Sequence, residues 1–377
     1  MAYKICHMTT VHNSDDIRIF RKECVFLARE PDFDIYLIAP GESRKELGVN
    51  VVGIGERPNS RLRRAISFSK KAYKKALMLN CDLYHFHDPE LLNVGIKLKK
   101  AGKYVVFDSH EDTVKQIERK TYIPNIIRST VANMYRKLQD KTVKAIDGVV
   151  FPTLVDGKTP FDKTAKRLAI VDNLPILEEF KGVTLSENPL YDICCTGSLT
   201  YDRGIMELLE VSSQTHSTVC LAGRFSPPDF QDELVKKGLL GENVDFRGYC
   251  GRDEIVDILC NSSIMVSNIH KVGQYNHIDN LPTKVYEAMA IGLPVILSNF
   301  PYSVELNEKL NFAITINPED ADQLTEAVQY LKNNPKERER LAKNGRRYIE
   351  EKCNWEREVK KIINMYHDIL AEDIDEV

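Results

Sequence analysis

The sequence lacks the features that would place it outside the ordinary globular proteins. It has no apolar run long enough to span a bilayer, so we expect no membrane-spanning helix. Its first residues have no basic segment followed by a long apolar one, so we expect no signal peptide. It also has no low-complexity segment and no short tandem repeat, which argues against disordered and repeat architectures.

Metal-binding cysteine motifs are missing as well. The nine cysteines are an odd number and are scattered, and only Cys194 and Cys195 are close together. No Cys-x2-Cys pair and no Cys/His cluster has the spacing of metal ligands. These features favour reduced thiols in a cytosolic protein, and we expect neither a metal nor another cofactor.

What is present is an ordinary globular composition with an uneven charge. The 377 residues are 43% hydrophobic and 28% charged, and this length favours two domains over a single core. Residues 1–180 contain 31 basic and 23 acidic residues, a balance of +8, whereas the remainder contains 21 and 32, a balance of −11. This asymmetry indicates an anionic partner for the basic half.

Strand and helix patterns alternate along both halves, as expected for parallel sheets covered by helices. In the first half the predicted strands are Tyr3–His7, Phe33–Ala39, Val49–Ile54, Leu83–His87, Tyr104–Phe107 and Gly148–Phe151, with helices at Ile17–Ala28 and from Ser60 to about Leu79. In the second half they are Tyr191–Thr196, Thr218–Ala222, Val244–Phe246, Ile264–Ser267 and Pro294–Ser298, with a helix at Ile205–Val211. The pattern predicts two doubly wound α/β domains whose ligands bind at the strand ends.

Breakers and a final amphipathic helix suggest where the domains end. Residues 172–189 contain Pro175, Gly182 and Pro189, which is typical of a linker. From Trp355 to Leu370 the apolar residues fall on one helical face. We therefore expect domains at residues 1–175 and 176–352, followed by a closing segment at 353–377.

The stretch DNLPTKVYEAMAIGLPVILS, which begins at residue 279, is the most informative in the chain. Pro282 suits the first position of a helix, and Gly292 suits the left-handed conformation that ends one. Between them Glu287 is a lone carboxylate in an otherwise apolar helix, just over one turn from its N-terminus. This arrangement suits a ribose bound by the carboxylate and a diphosphate bound by the helix end. The alternative is that Glu287 pairs with Lys284 on the same helical face.

This stretch resembles the acidic-x7-acidic signature of retaining GT-B glycosyltransferases, in particular glycosyltransferase family 4. The resemblance implies that Glu287 binds the ribose of a nucleotide-sugar donor and that Asp279 lies at the donor sugar, where the family usually has Glu. It places Asn280, Leu281 and Thr283 beside the donor. It also implies the GT-B fold, with two Rossmann-like domains facing a cleft and a C-terminal helix that crosses back onto the first domain.

Two glycine turns and two cations complete the predicted donor site. The turn from Gly197 feeds a helix, and the resemblance makes Arg203, just before that helix, a ligand of the donor diphosphate. Ser198 stands where the family has a second cation, and a solvated arginine on a loop is the alternative. Lys284 either binds a phosphate or pairs with Glu287. Gly223 resembles the family's glycine near the nucleotide, although a strand-end glycine often marks only a tight turn.

His110 follows a hydrophobic strand and resembles the strand-end histidine that lies beside the donor sugar in these transferases. Retaining enzymes of this fold are thought to lack a protein nucleophile, so the acceptor attacks on the face from which the diphosphate leaves. His110 would then stabilise the positive charge that develops on the sugar ring. The alternative is a histidine that closes a hydrogen-bond network at a strand end.

The acceptor side is predicted from two other strand ends. Asp15, Asp16 and Arg18 follow the first strand and are candidates to contact acceptor hydroxyls, but N-capping by Asp15 or Asp16 is an equal alternative. His85 and His87 share one face of a strand, and His87 is a further acceptor-side candidate. No third metal ligand has an obvious spacing, and the family needs no catalytic metal.

A basic run without acids lies between residues 57 and 75. It comprises Arg57, Arg61, Arg63, Arg64, Lys70, Lys71, Lys74 and Lys75. Leu62, Ile66, Tyr73 and Leu77 fall near one helical face, as in a basic amphipathic helix at an anionic membrane. A solvated charged face is the alternative, and no aromatic platforms for nucleic acid are interleaved with the charges.

These observations predict a cytoplasmic retaining transferase that uses a nucleotide-sugar donor without a metal. They favour a glycan or polyprenyl-diphosphate-linked glycan as acceptor, on the inner face of the membrane. The nearest alternative is a sugar-nucleotide epimerase of the same two-domain shape. A third is a catalytically silent nucleotide-sugar-binding subunit, because Ser198 and Asp279 depart from the family pattern.

Overall fold

The chain forms two compact units in the computed structural model, which describes residues 2–60, 63–119, 124–273 and 275–371. The first unit comprises the residues up to Leu154, residues 158–173 and those from Glu356 onward. The second comprises Val155–Gly157 and Leu174–Trp355. The boundaries between the units therefore lie after Asn173 and after Trp355, close to those expected from the sequence. Residues 155–157 also belong to the second unit, although the residues on either side belong to the first.

The first unit is built on an eight-stranded sheet. Its strands are β1 (Tyr3–Met8), β2 (Phe33–Ala39), β3 (Arg44–Glu46), β4 (Val49–Gly53), β5 (Leu83–Phe86), β6 (Tyr104–Asp108), β7 (Gly148–Phe151) and β8 (Leu168–Ile170). They lie in the order β3-β4-β2-β1-β5-β6-β7-β8, and all neighbours are parallel except β3 and β4. The central strands are buried on both faces, as expected for a parallel sheet covered by helices.

Helices cover both faces of this sheet. They span Ile17–Cys24 continuing as Val25–Leu27, Arg64–Phe68 continuing as Ser69–Leu79, Leu92–Lys100, Thr113–Arg119, Asn125–Ala145 and, at the end of the chain, Lys360–Leu370. The last of these packs against β7 and β8. Gly148 permits the close approach, because a Cβ atom there would lie 2.8 Å from the sulfur of Met365.

The second unit is built on a six-stranded, fully parallel sheet. Its strands are β9 (Tyr191–Thr196), β10 (Val219–Ala222), β11 (Val244–Gly248), β12 (Ser262–Ser267), β13 (Val295–Ser298) and β14 (Ala313–Ile316), in the order β11-β10-β9-β12-β13-β14. Its helices span Ile205–Gln214, Asp229–Lys236, Arg252–Cys260, Thr283–Ile291, Pro301–Leu310, Ala321–Asn333, Pro335–Glu351 and Trp355–Glu358, the last crossing into the first unit.

Both sheets have the doubly wound topology that the alternating pattern predicts, which confirms the predicted fold class. In each sheet the strand order reverses beside the first strand, between β1 and β5 and between β9 and β12. Loops leave the sheet in opposite directions at such a point, so a crevice opens at the carboxyl ends of the two strands. The candidate site residues lie at these two positions.

Among the smaller features, the position of Pro282 differs from the sequence-based expectation. Pro282 precedes the helix Thr283–Ile291 as its N-cap, because its extended ψ of 138° excludes it from the first turn. Gly292 ends that helix in the left-handed conformation, as predicted, with φ of +84°. All nine cysteines are free thiols. Within the described ranges, no helix combines the length and apolar character that crossing a membrane requires.

Candidate functional site

Two glycines bring the loops after β9 and β10 into contact. The Gly197 N–H donates to the carbonyl oxygen of Ala222, over 2.8 Å, and Gly197 has a φ of +101°. A Cβ atom on Gly223 would lie only 1.7 Å from the carbonyl oxygen of Gly197. The loops therefore meet in a way that only glycine allows at position 223, which is a stronger constraint than a tight turn.

Arg203 precedes the helix Ile205–Gln214 at the same edge of the sheet. Gly204 caps this helix with a φ of +60°, and a Cβ atom there would lie 2.3 Å from the side-chain nitrogen of Asn268, which follows β12. Arg203 is half-buried, and its guanidinium forms no ion pair with any described residue. A cation without a carboxylate partner thus lies beside a helix N-terminus.

Lys284 is a second such cation, in the first turn of the helix Thr283–Ile291. Its side chain is 9% exposed, and its Nζ lies 3.7 Å from the thiol of Cys195. It pairs with no carboxylate among the residues that the structure describes. A buried ammonium group at a helix N-terminus is unfavourable with the helix dipole and with burial, so an anion bound there would be stabilising.

Glu287 pairs with an arginine that the sequence did not indicate. Arg252 Nη1 lies 2.5 Å from Glu287 Oε1, and Arg252 also pairs with Glu179 at 3.0 Å. Its guanidinium lies over the ring of Phe180, 5.1 Å from the centroid. The alternative pairing of Glu287 with Lys284 is therefore not what the structure contains. Arg252 is 35 positions away in the chain, too far for a helical spacing to reveal it.

The residues just before this helix are fixed by hydrogen bonds. The Gly157 N–H donates to Asp279 Oδ2 over 2.6 Å. The short segment 155–157, which belongs to this unit, therefore orients the carboxylate. Asn280 Oδ1 accepts from the Tyr286 hydroxyl and from the Leu281 N–H, over 2.5 and 2.8 Å. Leu281 is buried and Thr283 is half-buried at the first helical position. These contacts hold the predicted donor segment in one conformation.

In the first unit, buried polar side chains gather on one face of the central strands. His7 of β1 stands opposite His85 of β5 in the strand register, and His87 lies two residues beyond His85 on the same face. Asp108 ends the adjacent strand β6, and Glu23 is contributed by the helix Ile17–Cys24. All five side chains are buried. Only the pair His85 and His87 was visible as a shared face in the sequence.

Arg18 and Asp16 both make contacts within the first unit. Arg18 is 9% exposed and pairs with Asp108 at 3.2 Å and with Glu23 at 3.3 Å, so its guanidinium is not presented to a ligand. Asp16 accepts from the Arg18 and Ile19 N–H groups over 2.9 Å and so caps the helix, the alternative that the sequence left open. Burial raises the pKa of Asp16, but hydrogen bonds from His12 and from the backbone outweigh it and lower that pKa to about 2.

His110 lies at the end of a chain of buried rings. Its Nε2 is 3.2 Å from His87 Nδ1 and 3.4 Å from Asp108 Oδ2, so it does close a hydrogen-bond network. Burial alone would raise the pKa of Asp108, but Arg18 and His110 hold it well below its usual range. The His110 side chain remains 19% exposed, and together with His87 it lines a pocket of about 500 Å³. His110 is thus both a network member and the network's exposed end.

The network continues inward to the C-terminal helix. His87 Nε2 is 3.0 Å from His7 Nδ1, and the Tyr366 hydroxyl lies 3.1 Å from His7 Nε2 and 2.5 Å from His85 Nδ1. Burial lowers the pKa values of His7, His85 and His87, which keeps these imidazoles neutral. Tyr366 is 359 positions from His7, so no sequence spacing links them.

The basic run is mostly exposed, although Arg61 and Leu62 lie outside the described residues. Arg63, Lys70, Lys71 and Lys74 all point to solvent. Ile66 and Leu77 are 64% and 44% exposed, so part of the apolar stripe is also at the surface. Arg64 instead pairs with Glu90 at 3.4 Å.

Comparisons with known proteins bear on the family and the fold. Residues 178–348 match the sequence profile of the family Glycosyl transferases group 1. The chain is 24% identical to an uncharacterised glycosyltransferase of Methanocaldococcus jannaschii over 178 residues, which is 46% of this chain and 44% of that protein. It is 21% identical to O-antigen chain mannosyltransferase C of Escherichia coli over 319 residues, or 80% of each. The structure of sucrose-phosphate synthase from Thermosynechococcus elongatus is similar to this one, with a TM-score of 0.74. The match covers 98% of this chain and 100% of that chain at 15% identity, so the two proteins share the GT-B fold.

Proposed function

We propose that this protein transfers a sugar from a nucleotide-sugar donor to a glycan acceptor with retention of configuration. The proposal starts from the match of residues 178–348 to the glycosyltransferase group 1 family. One observation carries the proposal. Arg203 and Lys284 have no carboxylate partner among the described residues, and both lie at helix N-termini beside the point where the second sheet reverses its strand order. Such a site is suited to a diphosphate.

The donor is bound by charge at one end and by hydrogen bonds at the other. Arg203 and Lys284 neutralise the diphosphate together with the helix dipoles, so no divalent cation is needed there. Glu287 accepts from the ribose hydroxyls through Oε2, since Oε1 is occupied by Arg252. This division of roles explains why a carboxylate and an unpaired ammonium group coexist one turn apart on the same helix.

Transfer then proceeds without a protein nucleophile. The acceptor hydroxyl attacks the anomeric carbon on the face from which the diphosphate leaves, and a diphosphate oxygen takes its proton. The same-face geometry accounts for retention. We assign to His110 the stabilisation of the positive charge on the ring, because it is the exposed end of a network that includes the Asp108 carboxylate, which lies 3.4 Å from His110 Nε2. Asp279, oriented by the Gly157 N–H, is assigned to the sugar hydroxyls.

A panel of nucleotide sugars tests the reaction class. Incubated without acceptor, a transferase releases the sugar slowly to water, and the anomer first formed reports retention by nuclear magnetic resonance. An epimerised sugar that stays attached to the nucleotide would instead establish the epimerase. Absence of any reaction, with nucleotide sugar bound, would establish the silent subunit.

Glu287→Gln tests the donor site against a matched control. The amide keeps the shape but loses a charged hydrogen bond, so affinity for a nucleoside diphosphate should fall by about 1.5–3 kcal/mol in calorimetry. Glu179→Gln removes the other carboxylate of Arg252 without touching Glu287 and should bind normally. Equal losses in both variants would mean that the Arg252 network, rather than a ribose contact, determines affinity.

We also propose a lipid-linked glycan acceptor at an anionic membrane surface, supported by the basic first half and by the exposed cations at residues 63–74. The protein should bind vesicles that contain anionic lipid and dissociate at raised salt, because each surface cation contributes about 1 kcal/mol that salt screens. Replacing Arg63, Lys70, Lys71 and Lys74 by Gln should abolish vesicle binding but not donor hydrolysis. Binding that persists in this variant would assign the membrane face to another part of the surface.

A further inference from the structure

Three histidines and one glutamate form a closed cluster inside the first unit. His7, Glu23, His85 and His87 each offer one nitrogen or oxygen atom, and these four atoms lie within 4.8 Å of one another. All four side chains are buried, with at most 2% exposure. The sequence showed only His85 and His87 together, because His7 comes from another strand and Glu23 from a helix.

Three atoms of this cluster have separations that suit ligands around one small metal ion. His7 Nδ1 and His87 Nε2 lie 3.0 Å apart, and Glu23 Oε2 lies 3.6 Å from the first and 3.8 Å from the second. A point in the plane of these three atoms is about 2.0 Å from each, which is the Zn–N and Zn–O bond length. A tetrahedral zinc site has ligand separations of about 3.3 Å, whereas the four atoms here lie within 4.8 Å of one another, so the side chains would close around the ion by up to about 1.5 Å.

Two members of the cluster have polar atoms without a hydrogen-bond partner. Glu23 Oε2 and His85 Nε2 make no hydrogen bond with a described residue, and Glu23 Oε1 has only its ion pair with Arg18. Buried polar atoms without partners are rare and cost about 1–3 kcal/mol each. A metal ion would bind both His85 Nε2 and Glu23 Oε2 and remove this cost.

The atoms behind the ligands are already held by other groups. The Tyr366 hydroxyl contacts His85 Nδ1 at 2.5 Å and His7 Nε2 at 3.1 Å. Arg18 Nε lies 3.3 Å from Glu23 Oε1, and Asp108 Oδ2 lies 3.4 Å from His87 Nδ1. The opposite nitrogen or oxygen of every ligand thus has a partner that fixes its orientation, as outer groups do around metal sites in general.

We propose that His7 Nδ1, Glu23 Oε2, His85 Nε2 and His87 Nε2 bind one Zn²⁺ ion in the core of the first unit. Imidazole and carboxylate ligands without thiolate suit zinc, and four protein ligands leave no open position, so the site is structural. The ion joins β1, β5 and the helix Ile17–Cys24, and through Tyr366 it also fixes the C-terminal helix. This site is independent of the proposed transfer reaction, which needs no metal at the diphosphate.

Metal analysis of the full chain tests the proposal without recourse to activity. Protein purified without chelator from zinc-supplemented cells should contain about one zinc per chain by mass spectrometry. Glu23→Gln and His85→Gln should contain far less. His277→Gln is the matched control, because His277 is an exposed histidine of the second unit paired with Asp156, and it should retain the metal. Undiminished zinc in both cluster variants would overturn the assignment of these ligands.

A second measurement covers the case in which the variants do not fold. Wild-type protein stripped of metal under mild denaturant and refolded with Co²⁺ should show the intense visible absorption of a four-coordinate ion, and Zn²⁺ should abolish that absorption. Added Zn²⁺ should also raise the thermal midpoint of the stripped protein, because a ligand bound only by the folded state stabilises it. A metal-free wild type that shows neither the absorption nor the shift would overturn the proposal.

Discussion

The two places where the sheets reverse their strand order share a topology but differ in chemistry. Beside β1 and β5, buried imidazoles and carboxylates contact one another, and Arg18 is paired with two acids. Beside β9 and β12, Arg203 and Lys284 have no acidic partner among the described residues, and glycines bring the loops together. The groups of the first crevice contact one another, although Glu23 and His85 keep atoms without a hydrogen-bond partner, whereas the second crevice has two cations without an acidic partner among the described residues.

This difference explains how one fold serves two tasks. A network whose members contact one another can hold an exposed member such as His110 in a fixed orientation. A buried cation such as Lys284, which pairs with no carboxylate among the described residues, lowers the stability of the free protein, but the same charge favours a bound anion. We therefore expect a nucleoside diphosphate to stabilise the second unit far more than the first. Four substitutions test this difference between the two units.

The largest effect is expected from Gly223→Ala. Because its Cβ atom would lie 1.7 Å from the Gly197 carbonyl oxygen, the two loops must separate, which should cost at least about 3 kcal/mol and abolish nucleoside diphosphate binding. Gly238→Ala is the control, since Gly238 also has a positive φ, +69°, but its Cβ atom would meet nothing within 4 Å. Thermal unfolding and calorimetry compare the two variants. Similar outcomes would show that loop contact is unimportant for the donor site.

His110→Ala tests the other crevice through turnover. The loss of one group that stabilises developing charge should lower kcat by about 10²-fold, while the affinity for the donor stays unchanged. His12→Ala is the control, because His12 lines the same pocket but contacts Asp16. If the His110 variant loses activity only through a raised KM, His110 binds substrate and does not stabilise the transition state.

Much of the fold could be predicted because local patterns determine it. The predicted strands Phe33–Ala39, Gly148–Phe151 and Tyr191–Thr196 coincide with β2, β7 and β9. The edge strand β3 was missed, since Arg44–Glu46 is short and charged and has no apolar alternation. Strand β8 was also missed, because three residues are too few to show a period.

The candidate sites were only partly predictable, because their decisive contacts join distant residues. Glu287, Arg203 and Lys284 stood out through their positions relative to helix ends, which sequence spacing shows directly. Arg252, by contrast, reaches Glu287 from another helix. Tyr366 reaches His7 from the other end of the chain, and only tertiary folding brings them together. A polar side chain in a buried strand, such as His7, is the one signal that was available.

Lys284→Met separates the stability of the free protein from ligand affinity. Removing an unpaired buried ammonium group should raise the thermal midpoint, while affinity for a nucleoside diphosphate falls by about 1.5–3 kcal/mol. Affinity for the bare nucleoside should not change, because the contact is to phosphate. Lys309→Met is the control, since Lys309 is exposed and pairs with Glu305 at the surface, so the thermal midpoint should fall slightly at most and the affinity should not change. A destabilised Lys284 variant would mean that the cation has a partner within the protein.

The smallest effect concerns pH and the buried acids of the first unit. Burial, and then the nearby Glu358 carboxylate, raise the pKa of Asp172 to about 7, against opposing effects of Lys361 and Arg18. Between pH 4 and 7 the folded chain therefore retains a proton that the unfolded chain has released, so stability falls as the pH rises through this range. Asp172→Asn removes this dependence, and its stability relative to wild type should rise by on the order of 1–3 kcal/mol from pH 4 to pH 8.

Denaturant unfolding at several pH values measures this difference, and a carboxyl group of the second unit provides the contrast. Lys309 lowers the pKa of Glu305, so that group contributes stability that is present at neutral pH and lost as the pH falls through its folded pKa. Glu305→Gln should therefore become less stable relative to wild type as the pH rises, the opposite of Asp172→Asn. If the free energy of unfolding depends on pH in the same way for both variants and the wild type, burial of acids does not distinguish the two units.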